Sequence, residues 1–216
     1  MSEHSIGSAR EKTCGHPQHS ESKIVRANRL YSEPDGDFGL VLDLLVPAFR
    51  RMEERFVVLI DGGSGSGKTT LGVGLQTSLV MAGVPAQLVS LDQCYPGWGG
   101  LAAASDMVVN HLLDPVRPRY QRWDWQRSEP AEWVEIDAGR PLIIEGCGAL
   151  TPLNATFATL GIWVHRDPHE RKAAALTRDR GAFEPHWEHW AAQEHLHWSA
   201  HRPWNLAGLV CVVGPG

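Results

Sequence analysis

Short apolar runs recur along the chain, and a longer stretch of mixed polarity follows each of them. The runs are FVVLID (56–61), AQLVSLD (86–92), PLIIEG (141–146), LGIWVHR (160–166) and GLVCVVG (208–214), most of them rich in Val or Ile. Strands buried on both faces of a parallel sheet read as such continuous runs. Between them the spacing predicts helices over 68–82, near 102–113, over 168–179 and over 185–200. Ahead of the first run, FGLVLDLLVPAFRRMEER (38–55) sets Val41, Leu42, Leu45, Val46 and Phe49 at helical spacing, so an amphipathic helix broken or kinked at Pro47 is expected there. Strands and helices alternate. The expected fold class is α/β, a three-layer α/β/α domain around a five-stranded parallel sheet, with ligands beyond the carboxyl ends of the strands.

Composition narrows the setting. Residues 1–22 are rich in Ser, His and charge and poor in large apolar groups, so they are expected to form a disordered tail ahead of a single domain over 23–216. A chain of 216 residues, 43% of them hydrophobic, suffices for one generous core. Its formal charge of −5 offers no basic footprint, so neither nucleic acid nor a membrane is expected as a partner. Cys14, Cys94, Cys147 and Cys211 stand singly, without the spacing of a disulfide framework or a zinc site. No signal-peptide core is present and no uncharged apolar run reaches the about 18 residues of a membrane span, so a cytoplasmic location is expected. Association into a homodimer stays open.

The stretch LIDGGSGSGKTTL (59–71) adds chemistry. Gly62, Gly67, Lys68 and Thr69 satisfy G-x-x-x-x-G-K-[ST] between an expected buried strand and an expected helix, which makes the segment a P-loop. Successive backbone N–H groups of such a loop converge on a phosphate, and the helix start adds the positive end of its dipole. The expected nucleotide-binding set is Gly62, Gly63, Ser64, Gly65, Ser66, Gly67, Lys68, Thr69 and Thr70, with ATP and Mg²⁺ as cofactors. Side chains at 62, 63, 65 or 67 would obstruct the phosphate. Lys68 would bridge the β- and γ-phosphates, and the Thr69 hydroxyl would take one position on the metal.

Two acids close neighbouring strands: Asp92 in SLDQCY and Glu145 in LIIEG. Beside a triphosphate they imply a metal, held by Thr69, Glu145 and Asp92, while Asp92 also suits the acceptance of a proton from an attacking hydroxyl. After the fourth strand, HRDPHERKAAALTRDRG places Arg171 and Arg178 on one helical face with Arg180 just beyond, cations able to reach a transferring phosphoryl group. Gly181, Phe183 and Pro185 give the following residues the look of a short helical lid. RYQRWDWQRSEPAEWVEID (119–137) reads as a β-hairpin over an acceptor pocket. In the last helix Trp187, Trp190, Ala191, Glu194 and Trp198 share a stripe that is mostly core, and Glu194, out of place on it, is expected to meet the acceptor or to pair with a lid arginine.

Taken in order, GGSGSGKTT, LDQCY, LIIEG and LTRDR resemble the uridine kinase-like branch of P-loop small-molecule kinases, which includes phosphoribulokinase and pantothenate kinase, over about residues 56–213. The resemblance implies that Asp92 is the catalytic base, that Thr69 and Glu145 bind magnesium, and that Arg178 or Arg180 is a lid arginine on the phosphates. It also implies that Tyr95 and Asp124 contact the acceptor. The segment after Tyr95, PGWGGLAAASDMVVNHL, is spelled differently from the uridine-binding region of that family. The expected function is ATP-dependent phosphorylation of a hydroxyl on a small metabolite, foremost a nucleoside. Alternatives are a nucleoside-monophosphate or dephospho-coenzyme A kinase, and a nucleotide-dependent switch or adaptor; the absence of an N-K-x-D guanine motif weighs against a GTPase.

Overall fold

The computed structural model describes residues 29–33, 38–178 and 181–214. The tail expected over 1–22 lies outside the described residues. The chain runs through β1 (Arg29–Glu33), α1 (Gly39–Arg50), β2 (Val57–Gly62), α2 (Lys68–Met81) and β3 (Gln87–Ser90). It continues through α3 (Leu101–Met107), β4 (Arg119–Asp124), β5 (Glu129–Glu135), β6 (Leu142–Glu145), α4 (Pro152–Phe157) and β7 (Leu160–Arg166). The last elements are α5 (Pro168–Arg178), α6 (Trp187–His201), α7 (Pro203–Leu206) and β8 (Leu209–Val213).

The five apolar runs are all strands of one parallel sheet, ordered β8-β7-β2-β6-β3. A sixth strand, β1, pairs in parallel with β8 from Arg29 opposite Leu209 to Glu33 opposite Val213. Its sequence, RLYSE, is short and polar, and edge strands need no apolar run. The strand β2 lies in the middle of the sheet between β6 and β7, so the chain turns into α2 at the crevice where α/β sheets bind ligands.

Side chains alternate across the sheet with a period of two. On one side Val58 and Ile60 meet Phe38, Val41, Leu45 and Phe49 of the α1 region and Leu71, Leu75 and Leu79 of α2. On the other, Val57 and Leu59 meet the layer that contains Leu101 and Ala104 of α3 and Trp187 and Trp190. α1 passes through Pro47 without interruption. The carbonyl that loses its partner there belongs to Asp43, and both residues are exposed, where solvent can take the place of the missing bond. β4 and β5 form a separate antiparallel hairpin, as the sequence predicts, but its turn is Trp125, Gln126, Arg127 and Ser128, beginning ahead of the Ser-Glu-Pro stretch where the sequence places it. No helix of the described residues is long and apolar enough to cross a membrane.

Candidate active site

The loop between β2 and α2 needs two glycines for its backbone alone. Gly65 has φ of 79° and Gly67, which precedes α2, has φ of 100°, a region that suits residues without a Cβ. A Cβ at Gly67 would also approach the Phe38 ring to 3.2 Å, and one at Gly65 would run into the Arg171 carbonyl. The sequence anticipates crowding against a phosphate. The structure shows that at Gly63 and Gly65 the nearest obstacle is Arg171.

Lys68 is buried and its Nζ donates to the Gly63 carbonyl at 3.0 Å, folding back over the loop. Burial opposes its charge, but the acidic groups around it, Cys147 first and then Glu145, Asp92 and Glu194, outweigh that effect and raise its pKa. Thr69 Oγ1 donates to Glu145 Oε1 at 3.2 Å. Burial raises the pKa of Glu145, against the pull of Lys68. Asp92 follows β3 in a single 3-10 turn, Leu91–Gln93, whose start is capped by the Ser90 hydroxyl accepting the Asp92 N–H. Ser90 is level with Glu145 across the sheet, so both acids arrive at the same edge as the loop.

A cavity of about 370 Å³ collects these groups. Ser64, Lys68, Thr69, Asp92, Glu145 and Arg178 line its polar part; Tyr95, Trp98, Trp125, Ala182, Phe183 and Trp190 line the rest. The hydroxyl and carboxylate oxygens of Thr69, Glu145 and Asp92 are hard ligands of the type Mg²⁺ prefers, and two of them already sit within hydrogen-bond distance of each other. The donor set fits that ion. Ser66 Oγ is buried in the loop with no partner among the described residues, which a bound phosphate oxygen would supply.

Several expected site residues lie elsewhere. Arg171 does not reach into the cavity: it is buried under the loop, where Nη1 donates to the Ser64 carbonyl at 3.1 Å and to Glu194 Oε2 at 2.8 Å. Its guanidinium also lies 5.0 Å from the Trp198 ring centre. Glu194 is fully buried, and its Oε1 accepts from the Ser64 N–H at 2.7 Å, the Trp190 indole at 3.1 Å and the Cys147 thiol at 3.3 Å. Of the two roles expected for Glu194, pairing with an arginine is the one that appears. Tyr95 donates its hydroxyl to the Cys147 carbonyl at 2.9 Å, so only its ring faces the cavity. Asp124 is a turn former in the hairpin, accepting from Gln126 N–H at 3.0 Å and Arg127 N–H at 3.1 Å, outside the cavity lining. Thr70 is exposed on the first turn of α2, also outside the lining, and Arg180 lies outside the described residues.

One participant, Asp61, went unrecognised in the sequence. Asp61 ends β2 fully buried, with Oδ1 accepting from Gly62 N–H at 2.6 Å and Gly148 N–H at 3.2 Å, and Oδ2 accepting from Leu150 N–H at 2.8 Å. Its fourth partner is His197 Nε2 at 3.0 Å. A signal existed, because LID, SLD and IIE each place an acid at the end of an apolar run. Cys147, expected from the sequence to pack beside the site as a small apolar group, does more than pack: beyond its contact with Glu194, its sulfur lies 3.5 Å from Lys68 Nζ, and burial pushes the thiol far above its usual range, so it stays neutral.

No family model matches the chain. Among curated proteins it is 30% identical, over 158 residues, to tRNA dimethylallyltransferase of Bifidobacterium animalis subsp. lactis; the match covers 65% of this chain and only 44% of that protein. Among solved structures it resembles a possible uridine kinase from Bacillus stearothermophilus, with a TM-score of 0.55, 18% identity, and 79% of this chain and 96% of the other covered. It also resembles a candidate fructose transport system kinase from Silicibacter sp. TM1040, with a TM-score of 0.53, 21% identity, and 78% and 98% of the two chains covered. The chain has the fold of the uridine kinase-like P-loop proteins.

Proposed function

We propose that the protein transfers the terminal phosphoryl group of ATP to a hydroxyl of a small acceptor, with Mg²⁺ as cofactor. The observation that carries this reading is that Asp92 shares one cavity with the phosphate loop and with an aromatic wall that no phosphate requires. A site that only held nucleotide would need no exposed carboxylate facing a second compartment. In the reaction the acceptor oxygen forms a bond to the γ-phosphorus, the bond from that phosphorus to the bridging oxygen breaks, and ADP leaves with the electron pair. Asp92 takes the hydroxyl proton, Lys68 and the loop N–H groups hold the phosphates, and Arg178 lies within reach of the charge that develops. Thr69 and Glu145, with Asp92 beside them, would hold Mg²⁺, which would neutralise phosphate charge and orient the triphosphate.

A phosphate-bearing acceptor is less well served: among the described residues the aromatic wall contributes no cation. Acceptor-dependent ADP release from Mg-ATP tests the reading. One acceptor should stimulate it, and Asp92→Asn should reduce the stimulated rate by 10²-fold or more, on the order of what a lost general base removes. Tight ATP binding with no stimulation by any acceptor would favour a switch or adaptor instead.

A further inference from the structure

The aromatic part of the cavity has a property that the kinase reading does not require: of its side-chain polar atoms all but the Trp98 indole N–H are already spent on the protein. Tyr95 gives its hydroxyl to the Cys147 carbonyl at 2.9 Å. Trp125 Nε1 donates to the Asp92 carbonyl at 2.8 Å, and Trp190 Nε1 donates to Glu194 at 3.1 Å. Phe183 and Ala182 have no polar side-chain atoms, and the Trp98 ring is stacked on His186 at 4.2 Å and on Phe183 at 5.2 Å. Gln193, which packs beside Trp98, is also committed, donating to the Trp98 carbonyl at 2.6 Å and accepting from Leu101 N–H at 3.3 Å. Trp123 Nε1 is a buried donor without a partner, but Trp123 does not line the cavity.

A pocket that selects a sugar or a nucleobase places donors and acceptors where the ligand's polar edge arrives, because an unpaired polar group buried on either side is costly. Among the described residues, apart from the Trp98 indole N–H, the side-chain polar groups of the cavity that are not tied down belong to the phosphate part. Resting on the kinase reading, we propose that the acceptor is an uncharged, largely apolar alcohol with a flat aromatic or unsaturated body, seated against Trp98, Trp125 and Phe183 with its single hydroxyl at Asp92. The acceptor is small, since a cavity of about 370 Å³ must also take the transferring phosphoryl group. This departs from the nucleoside expected of the sequence, and it agrees with the different spelling of the segment that supplies Trp98.

The test compares two sets of probes on the full chain: benzyl alcohol, 3-methylbut-2-en-1-ol and geraniol against uridine, ribose and fructose. Equilibrium binding is measured calorimetrically, and ADP release is followed with Mg-ATP. The apolar alcohols should bind at least about tenfold more tightly than any polyhydroxylated probe, and one should stimulate ADP release. Trp98→Ala should raise the KM of that alcohol about tenfold, the loss expected for an aromatic contact with its buried area. Stimulation by uridine, ribose or fructose in preference to the alcohols overturns the acceptor class and leaves the kinase reading standing. Preferential alcohol binding without ADP release sinks the kinase reading and keeps the acceptor class. Failure of the alcohols both to bind and to stimulate overturns the inference.

Discussion

Glu194 carries a carboxylate where no solvent reaches it, and four donors from four residues surround it. With Arg171 it takes both backbone polar groups of Ser64, the N–H and the carbonyl, so the tip of the phosphate loop is fixed before any nucleotide arrives. A buried pair of this kind is destabilising to break, because the surviving partner keeps its desolvation penalty. Glu194→Ala should lower stability by about 3–5 kcal/mol in urea titrations, and Glu194→Leu combined with Arg171→Met should lower it by less than the sum of the two single changes. Additive losses would mean that the two side chains act independently. Glu145 makes a second residue-scale prediction, through pH. The ordinary value for a glutamate is 4.5, and burial raises it in the folded chain, so between the two values the folded protein keeps a proton that the unfolded chain releases. Folding stability therefore falls as pH rises through that window. Glu145→Gln has no such proton to lose, and its stability relative to the unmodified protein should rise as pH climbs above 4.5; a constant difference from pH 4 to 8 would contradict it.

The helix α6 is fastened to the loop region at two points one turn apart, Glu194 on Ser64 and His197 on Asp61, and it also supplies Trp190 to the cavity. The hairpin is tied in differently, by a bond from the Tyr120 hydroxyl to Gln93 Oε1 at 2.9 Å and one from Trp125 to the carbonyl of Asp92 itself. Trp125→Phe keeps a ring in the wall and removes that bond, so kcat should fall about tenfold through misplacement of Asp92 while the KM for Mg-ATP holds; an equal loss in both would point to general loosening. At this scale the sequence is legible where local pattern decides. Five strands, the loop, the hairpin and the Trp stripe of α6 all follow from periodicity and from a motif. The partnerships are not legible, because they depend on helix rotation and on long separations: Arg171 meets Glu194 across 23 residues, and Asp61 meets His197 across 136. Arg171 and Glu194 therefore stand out as chemistry in the sequence, yet in the fold they support the loop from behind. Asp124 misleads for a local reason, since an Asp ahead of a turn serves the two following N–H groups.

For the whole molecule, a ligand that binds only the folded chain adds stability by mass action. Mg-ATP at a hundredfold excess over its Kd should stabilise the protein by ~2.7 kcal/mol, read as a rise in Tm, and Lys68→Ala should remove most of that rise. An undiminished shift in the variant would place the nucleotide elsewhere. The edge of the sheet carries a different consequence. Among the described residues β1 pairs with β8 and with no other strand, and 175 residues separate Glu33 from Leu209. On a ribosome adding 5–20 residues each second, β1 is thus synthesised roughly 9–35 s before its partner strand. The two strands that flank β2, β6 and β7, are themselves made late in that interval but still ahead of β8, so the centre of the sheet can assemble around the phosphate loop while RLYSE remains unclaimed. During synthesis the nucleotide-binding half of the sheet is thus ready first, and the join between the earliest and the latest strand closes last.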